Sequence, residues 1–353
     1  MHPASHHCWP EPGRDHDLCQ QIQVDLSAML DGELDPAGVR RVTMHSDACP
    51  TCRRFFEGIR RQAGLHRRLA APRREGRGAA KRHREHQHDE AWRADLARDQ
   101  RKLGRVLYEL GRNFVLLGLS PEFSRFVAEE PMPLPAAVAR GRALIDEIAC
   151  SGRDATEWVP AKELFDGGLR TPDENLARGQ RLLSESLALD SSRDDARIYL
   201  GLVHYARGQR ALARKQLRLV LSRGADATMC AYARLHLSNI LLDEGDRGAA
   251  ISALLEVVES SALESAPQFA HALFNLALAY GLDADFEQSA RWFGRLYEEA
   301  PQRRAWVAHE LSRRSHFQHL VHTHPRGRRL AQKLASWFSG PQRARSADGP
   351  TVR

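Results

Sequence analysis

Two stretches of equal length, "ARIYLGLVHYARGQRALARKQLRLVL" (196–221) and "ARLHLSNILLDEGDRGAAISALLEVV" (233–258), repeat one order of small and large residues. Gly208 and Gly245 hold equivalent positions in the two copies, and a third copy follows at 271–301. Small residues recur where paired helices must approach closely, and large apolar residues recur where helices interlock. This repetition predicts helix pairs stacked side by side, because one pair cannot bury its apolar face alone.

The repeats resemble the tetratricopeptide repeat. The third copy matches that pattern best, with Tyr280, Phe293 and Pro301 at the expected offsets. The resemblance implies a tetratricopeptide-like α-solenoid over residues 174–338, whose concave surface would bind a second protein or peptide. The alternative is an ordinary helical bundle in which the periodicity arises by chance.

Upstream of the repeats, residues 91–118 form the pattern of an amphipathic helix, with large apolar residues at intervals of three, four and seven. These residues are Leu96, Leu103, Leu107, Leu110, Phe114 and Leu117. No segment shows the sustained alternation of apolar and polar residues that a sheet requires. We therefore predict an all-α protein.

Changes in residue composition and in the spacing of apolar residues along the chain predict six segments. They are a disordered tail at 1–17, a small helical domain at 18–70, a basic His-rich linker at 71–90, a helical connecting region at 91–173, the repeats at 174–338 and a second tail at 339–353. The linker is predicted because it holds almost no large apolar side chain.

Composition excludes several classes of protein. With 42% hydrophobic and 27% charged residues in 353, the chain can bury a core. It contains no run of eighteen apolar residues, and four of its six cysteines crowd into the first 52 residues, unlike a disulfide framework. We expect a soluble protein of the reducing cytoplasm, without a membrane partner.

The stretch "HSDACPTC" (45–52) has the spacing of a metal site. Cysteine thiolates and histidine nitrogens are the usual structural ligands of Zn²⁺, which takes four of them in a tetrahedron. Cys49 and Cys52 can hold one ion from a tight turn, and His45 lies one helical turn earlier. The fourth ligand must come from elsewhere, and the upstream candidates are Cys8 and Cys19.

The helices around this stretch favour Cys19. The first predicted helix stops near Gly32, and the next starts with Asp35 as N-cap and Pro36 at its first position. Two antiparallel helices would bring Cys19, at the outer end of the first, beside His45 at the outer end of the second. Cys8 lies in the predicted tail and is the weaker candidate.

At this point the sequence resembles the zinc-binding domain of anti-sigma factors. Cys19, "LDGELDP" at 30–36, His45, Cys49 and Cys52 fall at the spacing of that family, over residues 18–70. The resemblance implies three short helices around a zinc ion and a cytoplasmic regulator that binds a sigma factor of the extracytoplasmic-function type.

The resemblance also implies a fourth helix that clasps the sigma factor. The amphipathic helix at 91–118 is the candidate, and its stripe would face either the helical bundle or the partner. The predicted partner-binding residues are Leu103, Leu107, Leu110 and Phe114. A redox switch at the zinc ligands and a purely structural zinc are both open.

Other functions have weaker support in the sequence. Residues 53–105 hold 17 Lys and Arg against 7 Asp and Glu, but no motif that reads the major groove is present, and we do not expect nucleic-acid binding. No catalytic motif is present either, and four protein ligands leave zinc no open position, so we do not expect an enzyme. The alternative function is a scaffold whose zinc domain is only structural.

Overall fold

The computed structural model describes residues 16–31, 33–70, 83–129, 131–133, 158–160, 171–260 and 269–338. Both predicted tails, apart from residues 16 and 17, lie outside this part, as do residues 71–82 of the predicted linker and most of 130–170. Within the described part the protein is helical except for one pairing of two three-residue strands, which confirms the predicted all-α fold class.

Seven helices come before the Arg207–Gly208 junction in the described part of the chain. They are α1 His16–Asp31, α2 Pro36–Ala48, α3 Pro50–Ala70, α4 His83–Leu119, α5 Pro121–Ala128, α6 Pro172–Leu189 and α7 Asp194–Ala206. A short antiparallel pairing joins Pro131–Pro133 to Trp158–Pro160. That pairing lies inside the region predicted as helical, where proline-rich segments cannot supply the N–H groups that a helix needs.

Helix α4 begins at His83, so its first residues, 83–90, lie in the segment predicted as a linker. The linker prediction rested on the absence of large apolar residues. A helix extends more easily than it starts, however, and Arg, Glu, Gln and Ala are good helix formers. The buried half of α4 therefore lets the helix continue through a polar sequence.

Helices α4 and α6 approach each other closely along three α4 glycines spaced seven residues apart. These are Gly104, Gly111 and Gly118, which face the α6 segment in reverse order, from Asp190 to Pro172. On α6, Gly179 lies against the carbonyl of Gly111, and the buried Ser186 hydroxyl donates to the carbonyl of Gly104 at 2.6 Å. Close backbone contact of this kind needs residues without side chains.

The chain divides into two compact units, Met1–Arg207 and Gly208–Arg353. The first unit therefore extends beyond the predicted boundary at 173–174, because α6 packs on α4. The division also falls inside the first sequence repeat, 196–221. The sequence repeat therefore indicates where the helices lie, but it does not indicate where one compact unit ends and the next begins.

The second unit contains eight α-helices among its described residues. They are α8 Arg210–Ser222, α9 Ala227–Asp243, α10 Arg247–Val258, α11 Ala270–Leu282, α12 Phe286–Glu299, α13 Arg304–Ser312, α14 Ser315–Thr323 and α15 Arg328–Phe338. Its core centres on the fully buried rings of Phe269, Phe274, Phe293 and Phe317. That the helix pairs are tetratricopeptide repeats stays a prediction.

The turns between the paired helices of the repeats contain a residue with a positive φ angle. Gly208 and Gly245 both have positive φ angles, +72° and +82°, in the left-handed region that glycine enters without steric cost. The third copy places Ala284 in the same conformation, with φ +61°. The repeat thus keeps its turn geometry where it loses its glycine.

The stability of the second unit should depend on pH because of one histidine, His236. Burial, with a smaller contribution from His271, lowers the pKa of His236 to about 4 from the ordinary 6.5. The unfolded chain therefore binds this proton more readily, so the contribution is intact above pH 6.5 and declines as the pH falls towards 4. When the pH falls from 7 to 5, we expect the free energy of unfolding of the unchanged protein to decrease by about 1–2 kcal/mol more than that of the His236→Gln variant.

Urea unfolding of the full chain at both pH values measures this difference. His316→Gln, at an exposed position on α14, is the matched control and should keep the full pH dependence. An equal loss of stability in the His236→Gln variant and the unchanged protein would contradict the assignment.

Candidate metal centre

The ends of three helices position the predicted ligands. Cys19 lies in the first turns of α1, His45 in the last turn of α2, Cys49 between α2 and α3, and Cys52 near the start of α3. Three of the four therefore lie within two turns of one helix junction, and the fourth comes from a neighbouring helix.

Local sequence explains why α2 starts and stops where it does. The Asp35 carboxylate accepts a hydrogen bond from the N–H of Gly38 at 2.6 Å, and Pro36 occupies the first helical position. At the other end, Cys49 precedes Pro50 and is extended, with φ −80° and ψ 121°, as expected for a residue before proline. Cys49 therefore ends α2 and lies at the junction with α3.

The four ligand atoms lie close enough for one ion. The Cys19 Sγ is 3.6 Å from the Cys49 Sγ and 3.8 Å from the His45 Nε2, and all four atoms lie within 4.8 Å of one another. A tetrahedral zinc with Zn–S bonds of about 2.3 Å would separate neighbouring sulfurs by roughly 3.8 Å. The residues present therefore fit a tetrahedral site of three thiolates and one imidazole.

The site is enclosed by its own domain. Cys19, His45 and Cys52 are buried, Cys52 completely, whereas Cys49 is half-buried. Four protein ligands complete a tetrahedron, which is the pattern of a structural metal site.

The electrostatics show that the thiols influence one another strongly. Burial raises the pKa of Cys49, but hydrogen bonds and the charge of His45 outweigh it and lower the pKa to about 6. Burial, together with the neighbouring thiols of Cys19 and Cys49, raises the pKa of Cys52 well above its usual range. Crowded thiols of this kind are stabilised as thiolates by a bound cation.

The structure brings together all four residues that the sequence proposed as metal ligands. They form a single cluster of His, Cys, Asp or Glu side chains with metal-ligand geometry in the described part of the chain. Cys8, the weaker candidate for the fourth position, lies outside the described residues.

The stripe predicted to bind a partner faces the bundle instead. Leu103, Leu107, Leu110 and Phe114 are all buried, with at most 6% of each exposed. The last three share a core with metal-site residues and with Leu182 of α6. In this structure the apolar face of α4 is covered by the chain itself, so these residues are not an available partner surface.

Sequence reasoning missed the contribution of α6 to the metal-binding unit. A half-buried, two-pronged ion pair joins Arg60 of α3 to Glu185, and Arg178 pairs with Asp47 of α2. The Arg178 guanidinium also lies 4.8 Å from the ring centre of Phe114. The heptad spacing of the α4 glycines was the signal in the sequence that could have indicated a closely packed second helix.

Comparison with known proteins supports the metal centre. A family model described as "Putative zinc-finger" matches residues 19–53, a range that contains all four clustered side chains. The N-terminal segment thus carries a zinc-finger-type motif. Among the described residues, no helix combines the length and apolar character needed to cross a membrane.

Two relatives in Mycobacterium tuberculosis share part of the sequence. They are uncharacterized protein MT0102 and uncharacterized protein Rv0093c, each 42% identical to this chain over 67 residues. The similarity covers 19% of this chain and 23% of each relative. The chain thus spans less than a quarter of the length of the curated relatives that it matches.

Proposed function

We propose that this protein is a zinc-binding regulator of transcription that binds a sigma factor through its N-terminal unit. The observation that carries the proposal is the cluster of Cys19, His45, Cys49 and Cys52 inside a segment that matches the zinc-finger family model. Domains of this type are typical of anti-sigma factors. The ion is zinc because three thiolates and one imidazole suit that metal.

In this proposal the zinc organises the unit and takes no part in chemistry. It would hold α1, α2 and α3 together at one end, and the surface that those helices present would bind the sigma factor. The α4 stripe is buried, so in this proposal it packs against the zinc domain and does not contact the sigma factor. A second protein would bind the helical region that follows.

The test is co-purification of the full chain with each extracytoplasmic-function sigma factor encoded in the same genome. We expect one of them to co-purify with the unchanged protein and to be lost with Cys49→Ser, because the metal-binding surface collapses. Cys230→Ser is the matched control, since Cys230 is half-buried in the second unit and outside the cluster. Sigma binding that survives in Cys49→Ser would show that the metal does not support the interface.

The second candidate function is a scaffold whose metal centre is only structural. The burial of the α4 stripe favours it, because the predicted clasp is occupied by the chain's own core. A protein that holds zinc but co-purifies with no sigma factor would establish this alternative.

A further inference from the structure

Asp47 occupies a position in α2 where a carboxylate needs a compensating cation. It lies in the last turn of the helix, between the candidate ligands His45 and Cys49. The free carbonyl groups and the macrodipole make the C-terminal end of a helix negative, so an acidic side chain there is destabilising. The segment that carries two of the four ligands therefore includes a charge that other parts of the fold must offset.

Two arginines from other helices supply the positive charge. Arg53 of α3 donates a hydrogen bond from its Nη2 to the backbone carbonyl of Asp47. Arg178 of α6 forms an ion pair between its Nη1 and the Asp47 carboxylate. The side chains of this ion pair are 22% and 16% exposed, so water and salt screen it less than a pair on the open surface.

The position of Arg178 is fixed by its surroundings. Its guanidinium lies 4.8 Å from the ring centre of Phe114 on α4. The next residue, Gly179, is where α6 packs on the α4 backbone at Gly111. Because Arg178 is already held in place, its ion pair with Asp47 loses less side-chain entropy than a pair formed by a mobile arginine.

This ion pair bears on the release of a bound metal. The candidate ligands are mostly buried, so an ion can leave only when the surrounding chain opens. Asp47 is flanked by His45 and Cys49, and opening of the junction between α2 and α3 therefore breaks its contact with Arg178. The ion pair then adds to the barrier that a metal ion must overcome to leave.

We propose that Arg178 is a positioning residue of the metal centre, which slows the loss of zinc by holding the segment 45–49 through Asp47. This role rests on the zinc site of the proposed function and does not depend on sigma-factor binding. Groups that orient metal ligands from outside the coordination sphere commonly change metal affinity or activity by about 10–100-fold. Arg178 acts on the ligand segment and not on a ligand atom, so we expect a smaller effect of about fivefold.

The test is the rate at which the zinc-loaded full chain transfers its metal to an excess of a chromogenic chelator. We expect Arg178→Gln to increase the first-order rate of release by about fivefold or more. Arg178→Lys should give a rate between those of Arg178→Gln and the unchanged protein. Lysine keeps the positive charge but lacks the planar guanidinium that lies against Phe114.

Glu185→Gln is the matched control for a general loss of α6 contacts. Glu185 pairs with Arg60 of α3, and both side chains are 27% exposed, so this change also removes a half-buried ion pair between α6 and the zinc domain. Arg60 lies outside the segment 45–49, and this variant should release zinc at the rate of the unchanged protein. Equal acceleration in Glu185→Gln and Arg178→Gln would overturn the proposal, because α6 would then act only as a general support.

An Asp47→Asn background separates the ion pair from the other contacts of Arg178. Without the carboxylate, we expect Arg178→Gln to change the release rate by less than about twofold, because both changes remove the same interaction. An undiminished effect of Arg178→Gln in that background would overturn the proposal. If Arg178→Gln does not fold, Arg178→Lys and Asp47→Asn decide, and release from both at the rate of the unchanged protein would overturn it.

Failure of this proposal can be told apart from failure of the zinc site itself. Equal release rates from zinc-loaded Arg178→Gln and zinc-loaded unchanged protein would overturn the role of Arg178 and leave the metal centre in place. An unchanged protein that takes up no zinc would overturn the metal centre and this role together.

Discussion

Removal of zinc by a chelator should unfold α1 to α3 and also release α6, which lies more than a hundred residues away in sequence. Bound zinc in a small cysteine-rich domain stabilises the fold by on the order of 10 kcal/mol. The metal-site residues share one core with Leu107, Leu110 and Leu182. Free energy supplied by a bound metal would therefore stabilise α6 through its contacts with α4.

Hydrogen exchange followed by mass spectrometry measures this effect segment by segment. We expect residues 16–60 to lose nearly all protection after chelation and residues 172–189 to lose a large part of it. Residues 270–338, in the other unit, are the internal control and should stay protected. Full retention of protection in α6 after zinc is removed would show that the metal stabilises only the three short helices.

Substitution of Gly179 by alanine should destabilise the first unit. A Cβ atom at Gly179 would lie 2.7 Å from the Val115 Cγ2 and 2.9 Å from the carbonyl oxygen of Gly111. The backbone of α4 cannot move aside cheaply, so α4 and α6 must separate. We expect a net loss of about 1–3 kcal/mol, after the higher helix propensity of alanine is included.

Gly58→Ala is the matched control for this effect. Gly58 lies in α3 of the same unit, and a Cβ atom there would meet nothing within 4 Å. This variant should be more stable than the unchanged protein by about 0.5–1 kcal/mol. Scanning calorimetry of the full chain compares the two variants, and equal melting temperatures would contradict the close packing of α4 on α6.

The metal ligands could be predicted because their chemistry fixes their spacing. Cys49 and Cys52 can reach one ion only from a short turn, and Pro36 and Pro50 define the helices on either side. Cys19 followed from the direction of two antiparallel helices. The structure gathers these cysteines and His45, which is why local pattern was sufficient for the candidate site.

The partner of the α4 stripe could not be predicted in the same way. A periodic row of Leu103, Leu107 and Leu110 indicates that a helix face is buried, but not what covers it. Leu182 and Leu183 fall within residues 174–338, the range that the sequence predicts as repeats. Only tertiary packing shows that α6 belongs with the metal-binding unit.

The measurement that tests the central claim most directly is the metal content of the purified full chain by atomic emission, alongside Cys49→Ser and Cys230→Ser. We predict about one zinc per chain in the unchanged protein and in Cys230→Ser, and almost none in Cys49→Ser. Absence of zinc from the unchanged protein, or undiminished zinc in Cys49→Ser, would contradict a metal centre formed by Cys19, His45, Cys49 and Cys52.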